Sequence, residues 1–366
     1  VRGDYELAKF EEVNTGLLTT SERAFRVASL NMPAMQLVMY TTILCILWFG
    51  GRLILVGGMQ VGELTGFLSY VLQVLNSLMM ISNVFMMFTR SLTSWKRITE
   101  VMDEKIDITE ERSKDIFVEK GEIDFDHVYF KYSKDAQEYV LSDITLHMKA
   151  GQTIGIIGRT GAAKSTLVQL IPRLYDVTEG EIRIDGHPVQ EYPLRHLRDA
   201  IAMVLQKNTL FSGTVRDNLR WGKEDATEEE IEEACRTACV DEFIERLENG
   251  YDTDLGQGGV NVSGGQKQRL CIARALLKKP RVLILDDSTS AVDTATEAKI
   301  REGMERSLPG TTKIIIAQRI TSVVHADEII ILEDGRVHAV GTHEELLKNN
   351  EIYQEIYQSQ QEGADL

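Results

Sequence analysis

Two long uncharged stretches dominate the first quarter of the chain. Residues 27–51 form a run of 25 positions without a charged side chain, and residues 64–89 form one of 26. Each exceeds the ~20 residues that a helix needs to cross a hydrocarbon core. Backbone groups in lipid must be satisfied within the segment, so both are predicted as helices, spanning about 27–57 and 62–90. Two buried helices of a soluble core would share this composition, but two such runs so close together favour a membrane pair. The joint between them, Arg52 to Glu63, has glycines and a charge at each end and reads as a short turn outside the membrane. The far ends, Arg23 and Arg26 on one helix and Arg90, Lys96 and Arg97 on the other, then share a side. Their basic character places that side in the cytoplasm. Met79, Met80, Met86 and Met87 suggest an adaptable surface for apolar ligands, although helix and lipid packing explains them more simply.

From Ser91 to Lys120 the pattern turns to mixed charge, which predicts a helix leaving the membrane and then a solvated linker over 101–120. A domain boundary near Gly121 follows. Beyond it the period changes again. "IDFDHVYFKY" and "ITLHMKA" alternate as half-buried strands do, whereas "TIGIIG", "IAMVLQ", "RVLILDD" and "TKIIIAQ" are short apolar runs of buried-strand type. "EEEIEEACRTACVDEFIERLE" and "ATEAKIREGMERSL" have helical spacing. Buried strands alternating with helices predict an α/β domain on a largely parallel sheet.

Composition narrows the function. The formal net charge of −16 argues against a nucleic-acid partner, which would need clustered Lys and Arg. The four cysteines, Cys45, Cys235, Cys239 and Cys271, suggest no disulfide framework and fit a reducing compartment. Cys235 and Cys239 stand about a helical turn apart without His or Cys neighbours to complete a metal site, so buried thiols are expected. The first residue is Val1, and no signal-peptide pattern is present; the expectation is a piece of a longer polypeptide.

The chemistry-bearing segments lie in the second region. "TIGIIGRTGAAKSTLVQL" reads as strand, glycine-bearing loop and helix start, close to the phosphate-cradling G-x-x-x-x-G-K-[ST] pattern. Its N–H groups and helix N-terminus would face phosphate oxygens, with Lys164 on the β/γ-phosphates and Ser165 on Mg²⁺. Gly158, Arg159, Thr160, Gly161, Ala162, Ala163 and Thr166 complete the cradle. Ala163 stands where this pattern asks for glycine, and its methyl crowds the turn. Downstream, "VLILDDS" is an apolar strand ending in carboxylates, with Asp286 placed to hold Mg²⁺ through water. "NVSGGQKQRLCIARAL" puts Ser263, Gly264, Gly265 and Gln266 at a helix start, a second anion-binding turn.

These segments resemble the nucleotide-binding domain of ATP-binding-cassette (ABC) transporters, of the exporter type with fused membrane helices. "VSGGQKQR" differs from that family's usual signature only by Val262 for Leu. The resemblance extends over essentially the whole chain and implies an α-helical transmembrane segment plus an α/β P-loop NTPase domain, with an antiparallel β subdomain and a helical subdomain. Residues 1–100 resemble the last third of the membrane domain, the preceding four helices being absent from the sequence, and residues 121–360 resemble the nucleotide-binding domain. The resemblance further implies Gln206 on Mg²⁺ and on the route to the membrane domain, Tyr132 stacked on adenine, and Asp293 in a loop contacting the opposite subunit. His343 in "GTHEELLKNN" is expected to be structural. ATP and Mg²⁺ are the implied ligands. A second half-transporter subunit, the lipid bilayer and a small-molecule, lipid or peptide cargo are the implied partners.

Where the family follows the metal-holding aspartate with a glutamate that polarises water, this chain has Asp287, and where it has a phosphate-contacting histidine, this chain has Gln318. Gln257 stands where a glutamate often precedes the signature. An aspartate is one methylene shorter, which retracts its carboxylate by about 1.5 Å, and a positioned base contributes ~10²–10⁴ in rate. Gln318 can donate a hydrogen bond but carries no charge. The departures fall on catalysis and spare binding. They predict a weakened half-site in a heterodimer, at the plasma membrane of a bacterium, with the intact signature lent to a partner's hydrolytic site. The competing readings are a homodimeric exporter or lipid flippase with Asp287 as base, a regulatory clamp that holds ATP without turnover, and a soluble chromosome-maintenance type ATPase.

Overall fold

A computed structural model describes residues 3–289 and 291–362, apart from the side chains of a few helical positions, Met86 among them. Ser290, shortly after the carboxylates, lies outside the described residues. The chain separates into two compact units, Val1–Lys105 and Ile106–Leu366.

The first unit is a hairpin of two long helices, α1 (Gly3–Leu55) and α2 (Val61–Met102). At ~1.5 Å per residue, the 53 residues of α1 extend about 80 Å, well beyond a bilayer. Its portion Met32–Leu55 and the apolar part of α2 are each long and apolar enough to cross a membrane. The joint is narrower than the sequence pattern suggests: Arg52 completes the last turn of α1, and Glu63 already belongs to α2. Glu63 accepts a hydrogen bond from the Gln60 N–H at 2.8 Å, capping α2. Gly50 has no side chain to keep Leu64 away, and both residues are buried where the helices meet. Elsewhere large apolar side chains such as Trp48, Phe67 and Phe85 point outward, an arrangement suited to lipid.

The second unit is built on two sheets. An antiparallel sheet takes β1 (Ile123–Phe130), β2 (Leu141–Met148), β4 (Glu179–Ile184) and β5 (His187–Pro188) in the order β2-β1-β4-β5. The central sheet takes β3 (Thr153–Ile157), β6 (Ile201–Val204), β7 (Val282–Asp286), β8 (Thr312–Ile316), β9 (Glu328–Glu333) and β10 (Arg336–Gly341) in the order β10-β9-β3-β8-β7-β6. All its neighbours pair in parallel except β10, the antiparallel edge.

The continuous apolar runs read from the sequence follow from burial on both faces. Ile154, Ile156, Val282, Ile284, Ile314 and Ile316 enter a core shared with the antiparallel sheet. The alternating Ile157, Leu283, Leu285, Ile315, Ile329 and Ile331 enter a second core, shared with the helices. Those helices are α5 (Val215–Arg220), α6 (Glu228–Thr237), α7 (Asp241–Ile244), α8 (Gly264–Leu277) and α9 (Thr294–Ser307). The short α3 (Lys164–Gln169) and α4 (Leu194–Ala200) follow β3 and precede β6, and α10 (His343–Asn349) and α11 (Glu351–Glu362) close the domain. Cys235 and Cys239 are buried thiols, and desolvation pushes the Cys235 pKa up to about 12. Cys239 takes the left-handed position past the end of α6, at φ 54°, and the Val240 N–H bonds the Cys235 carbonyl at 2.7 Å, closing the helix end.

Candidate active site

Four adjacent parallel strands deliver the site. β3, β8, β7 and β6 lie in that order in the central sheet, and the loops leaving their C-terminal ends carry, respectively, the glycine-bearing loop, Gln318, Asp286–Asp287 and Gln206. Ligands in open parallel sheets sit at such strand ends. The residues converge on a cavity of about 520 Å³ lined by 158–166, Gln206, Asp286, Asp287 and Gln318, together with Val140, Ile316 and Ile356. Every phosphate-loop position singled out in the sequence is thus in one wall.

The cradle is shaped by backbone. A Cβ on Gly158 would fall 2.1 Å from the Leu332 carbonyl oxygen, so only glycine fits there. Ala163 sits at φ 67°, in the left-handed region where its methyl is strained. Lys164 Nζ folds onto the carbonyl oxygens of Gly158 at 2.7 Å and Arg159 at 3.0 Å. Burial lowers the pKa of Lys164, opposed by the charges of Asp286 and Asp287. Ser165 Oγ donates to Asp286 Oδ1 at 3.0 Å.

Asp286 is buried at the end of β7, and burial raises its carboxyl pKa; the Ser165 hydrogen bond lowers it, and the neighbouring Asp287 raises it. A buried carboxylate, a hydroxyl and an amide oxygen at Gln206 are hard oxygen donors of the kind Mg²⁺ takes. The donor set fits the metal, and Mg²⁺ bound here would be held by Ser165 and Asp286, with Gln206 beside them. It would supply positive charge to polarise phosphate oxygens.

Asp287 turns back at φ 48° immediately after Asp286. Its Oδ2 accepts from Gln318 Nε2 at 2.7 Å and from Gln206 Nε2 at 3.2 Å. The carboxylate of Asp287, only 8% exposed, is therefore held between two amides. Gln206 faces it through its amide nitrogen.

Other predicted residues stand apart from this cavity. Tyr132 is exposed, packs edge-on to Phe130 and Tyr175, and is 2.9 Å from Thr166 Oγ1 through its hydroxyl. Ser263 caps α8, accepting from the Gln266 N–H at 3.4 Å while Gln266 Oε1 accepts from the Ser263 N–H at 2.8 Å. A Cβ on Gly265 would lie 2.7 Å from the Ala291 carbonyl oxygen, so the second signature glycine is needed inside this chain. Asp293 caps α9 through the Thr296 N–H at 3.0 Å. Gln257 lies exposed in the loop before the signature. His343 Nδ1 is 2.6 Å from the hydroxyl of Tyr353, which is buried between α10 and α11. Val140 and Ile356 were not legible as site residues; the Ile352/Ile356 and Tyr353/Tyr357 spacing of α11 was the available signal.

Sheet, cradle and carboxylate pair together define an ABC ATPase domain carried behind membrane helices. Residues 141–290 match the ABC transporter family, and residues 2–78 match the ABC transporter transmembrane region. The chain belongs to the ABC exporters of the half-transporter type, in which the membrane domain is fused to the ATPase domain. It is 44% identical over 367 residues to the uncharacterized ABC transporter ATP-binding protein YfiB of Bacillus subtilis, covering 100% of this chain and 63% of that protein. It is 38% identical to the putative multidrug export ATP-binding/permease protein YgaD of the same organism, covering 97% of this chain and 61% of that one. Among solved structures, a bacterial Atm1-family ABC exporter with ATP bound superposes with a TM-score of 0.89 at 30% identity, over 98% of this chain and 63% of that chain. The chain thus spans somewhat under two thirds of the length of the relatives it matches.

Proposed function

We propose that this chain is the ATP-binding and membrane-spanning part of an exporter subunit whose own nucleotide site is catalytically weakened. It binds ATP-Mg through residues 158–166, Asp286 and Gln206, with Tyr132 as the adenine platform. It lends Ser263, Gly264, Gly265 and Gln266 to the site of a second half-transporter subunit, where hydrolysis occurs, and Asp293 meets that subunit. The observation that carries this reading is the Asp287 carboxylate clasped by Gln318 and Gln206. A base that must accept a proton from water is one methylene short, and Oδ2 already receives two amide donors. Gln318 adds no charge beside the phosphate position.

Closure of two such nucleotide domains on ATP would drive the membrane helices from inward- to outward-facing. The cargo is a drug, lipid or peptide; the multidrug-export name of the B. subtilis relative YgaD supports the first. The basic ends at Arg23, Arg26, Arg90, Lys96 and Arg97 support a bacterial plasma-membrane protein with its ATPase domain in the cytoplasm.

Steady-state ATPase activity of the full-length subunit, purified alone and with its co-purifying partner, tests the proposal. Near-zero turnover alone and robust turnover together is the expected result. Robust turnover alone would mean that Asp287 serves as base and that a homodimer is the working unit. ATP retention with no turnover in either preparation would identify a regulatory clamp.

A further inference from the structure

The C-terminal helix α11 touches the nucleotide site at three points, and no motif of the site accounts for them. Ile356 forms part of the cavity wall. Glu355 pairs with Arg159 of the phosphate loop at 3.2 Å. Gln360 makes two hydrogen bonds to one short segment: its Nε2 donates to the Gln318 carbonyl oxygen at 2.8 Å, and its Oε1 accepts from the Ile320 N–H at 2.8 Å.

The three contacts differ in weight. Both partners of the Arg159–Glu355 pair are about two-thirds exposed, so that pair is screened and contributes little. Gln360 is different, because its amide satisfies both sides of the backbone that carries Gln318. The side chain of Gln318 then reaches Asp287 Oδ2. A continuous chain of hydrogen bonds runs from α11 through the main chain at Gln318 to the second carboxylate of the site.

We infer that Gln360 is a positioning residue for the nucleotide site: it fixes the main chain at Gln318, and through it the amide that faces the phosphate position and Asp287. This deepens the ATP-binding reading above and rests on it. The helix itself does not depend on Gln360. Tyr353 is fully buried and pairs with His343, the Tyr353 N–H bonds Asn350 Oδ1 at 2.9 Å, and Gln354 Nε2 bonds the Leu347 carbonyl at 2.8 Å. Substituting Gln360 therefore releases the Gln318 segment while leaving α11 docked.

The test uses the full-length exporter in nanodiscs, with hydrogen exchange over residues 315–323 and the affinity for AMP-PNP in Mg²⁺ as readouts. Gln360→Ala removes both bonds. Exchange at Ile320 should rise about tenfold as the segment opens, and AMP-PNP binding should weaken roughly threefold to tenfold, the worth of one or two hydrogen bonds. Gln360→Glu keeps the acceptor for Ile320 but replaces the donor to the Gln318 carbonyl with a repelling oxygen. It should keep Ile320 protected and still lose affinity, a split that a merely structural contact would not produce. Ser359→Ala, whose hydroxyl bonds only within α11 at Ile356, should change neither readout. AMP-PNP affinity unchanged in both Gln360 variants would overturn the inference, as would unchanged exchange in Gln360→Ala. An unaltered protein that fails to bind AMP-PNP would instead overturn the nucleotide reading itself, a result the exchange data distinguish.

Discussion

Gln318 Nε2 and Asp287 Oδ2 are 2.7 Å apart, and this hydrogen bond joins the two positions at which the chain departs most from the family's catalytic pattern. The bond makes the two departures one unit. The amide N–H that donates to the carboxylate orients the two side chains toward each other. Changing either residue alone then leaves the other mismatched.

Asp287→Glu by itself should accordingly raise the ATPase rate of the isolated subunit only a few-fold. The longer side chain restores reach, but Gln318 still lacks a charge, and residue 287 keeps its left-handed backbone at φ 48°, where Asp is better tolerated than Glu. The double change Asp287→Glu with Gln318→His should recover a substantial part of the ~10²–10⁴ that a positioned base supplies. Phosphate release from the purified subunit measures both. Vigorous turnover in the single variant without any partner would refute the requirement for a heterodimer.

Ala163 makes a different prediction, about stability. A left-handed backbone costs a non-glycine residue ~1–2 kcal/mol, and the freedom a glycine gains in the unfolded chain returns ~0.4–1 kcal/mol of that. At φ 67° the first effect wins. Ala163→Gly should stabilise the nucleotide domain by a net ~1 kcal/mol, raising its melting temperature by about 2–4 °C for a domain of this size. Differential scanning fluorimetry without nucleotide is the check. A lower melting temperature would show that the methyl's packing against the neighbouring core outweighs the strain.

The sequence pattern carried β1 and β2 by alternation, and β3, β6, β7 and β8 with the convergence of the phosphate loop and Asp286, because parallel strands buried on both faces leave uninterrupted apolar runs; it did not carry β4, β5, β9 and β10. It did not carry the left-handed turns at Ala163 and Asp287, since a single residue's φ leaves no periodic trace. At the joint the expected bounds of 57 and 62 lie close to the observed Leu55 and Val61, although Arg52 and Glu63, read as the charged ends of a turn, sit in helical end turns. The role of α11 was invisible for a third reason. Gln360 acts on main-chain atoms 42 positions earlier, and contacts to backbone impose no complementary residue type that a single sequence could display.

Asp286 connects the site to pH. Its carboxyl pKa is raised, chiefly by burial, so the ionised form is disfavoured in the folded protein. A raised folded-state value means the folded state binds the proton more tightly than the unfolded chain does. The group's contribution is therefore favourable at low pH and turns into a cost as pH rises through the folded value. At neutral pH, without metal, that cost is present. Asp286→Asn should raise the melting temperature of the nucleotide-free domain at pH 7 and abolish the further rise on adding Mg²⁺ and ATP. Retention of the full Mg²⁺-ATP shift in this variant would remove Asp286 from the metal site.

The two signature glycines separate fold from function. A Cβ on Gly265 would meet the Ala291 carbonyl oxygen at 2.7 Å, but one on Gly264 would find only the Ala291 Cβ at 3.9 Å, an ordinary contact. Among the described residues, nothing requires glycine at 264. If the surface there receives the phosphates of a partner's nucleotide, a methyl blocks the approach of the ligand and not the folding of α8. Gly264→Ala should keep the melting temperature and the subunit's own ATP affinity while lowering hydrolysis by the assembled complex at least a hundredfold. Gly265→Ala should instead displace the loop at Ala291 and destabilise the domain. Thermal melts, ATP binding to the isolated subunit and turnover of the complex distinguish these cases. Unchanged turnover in Gly264→Ala would refute the lent signature, because a residue with no structural duty in its own chain would then have no duty in the partner's site either.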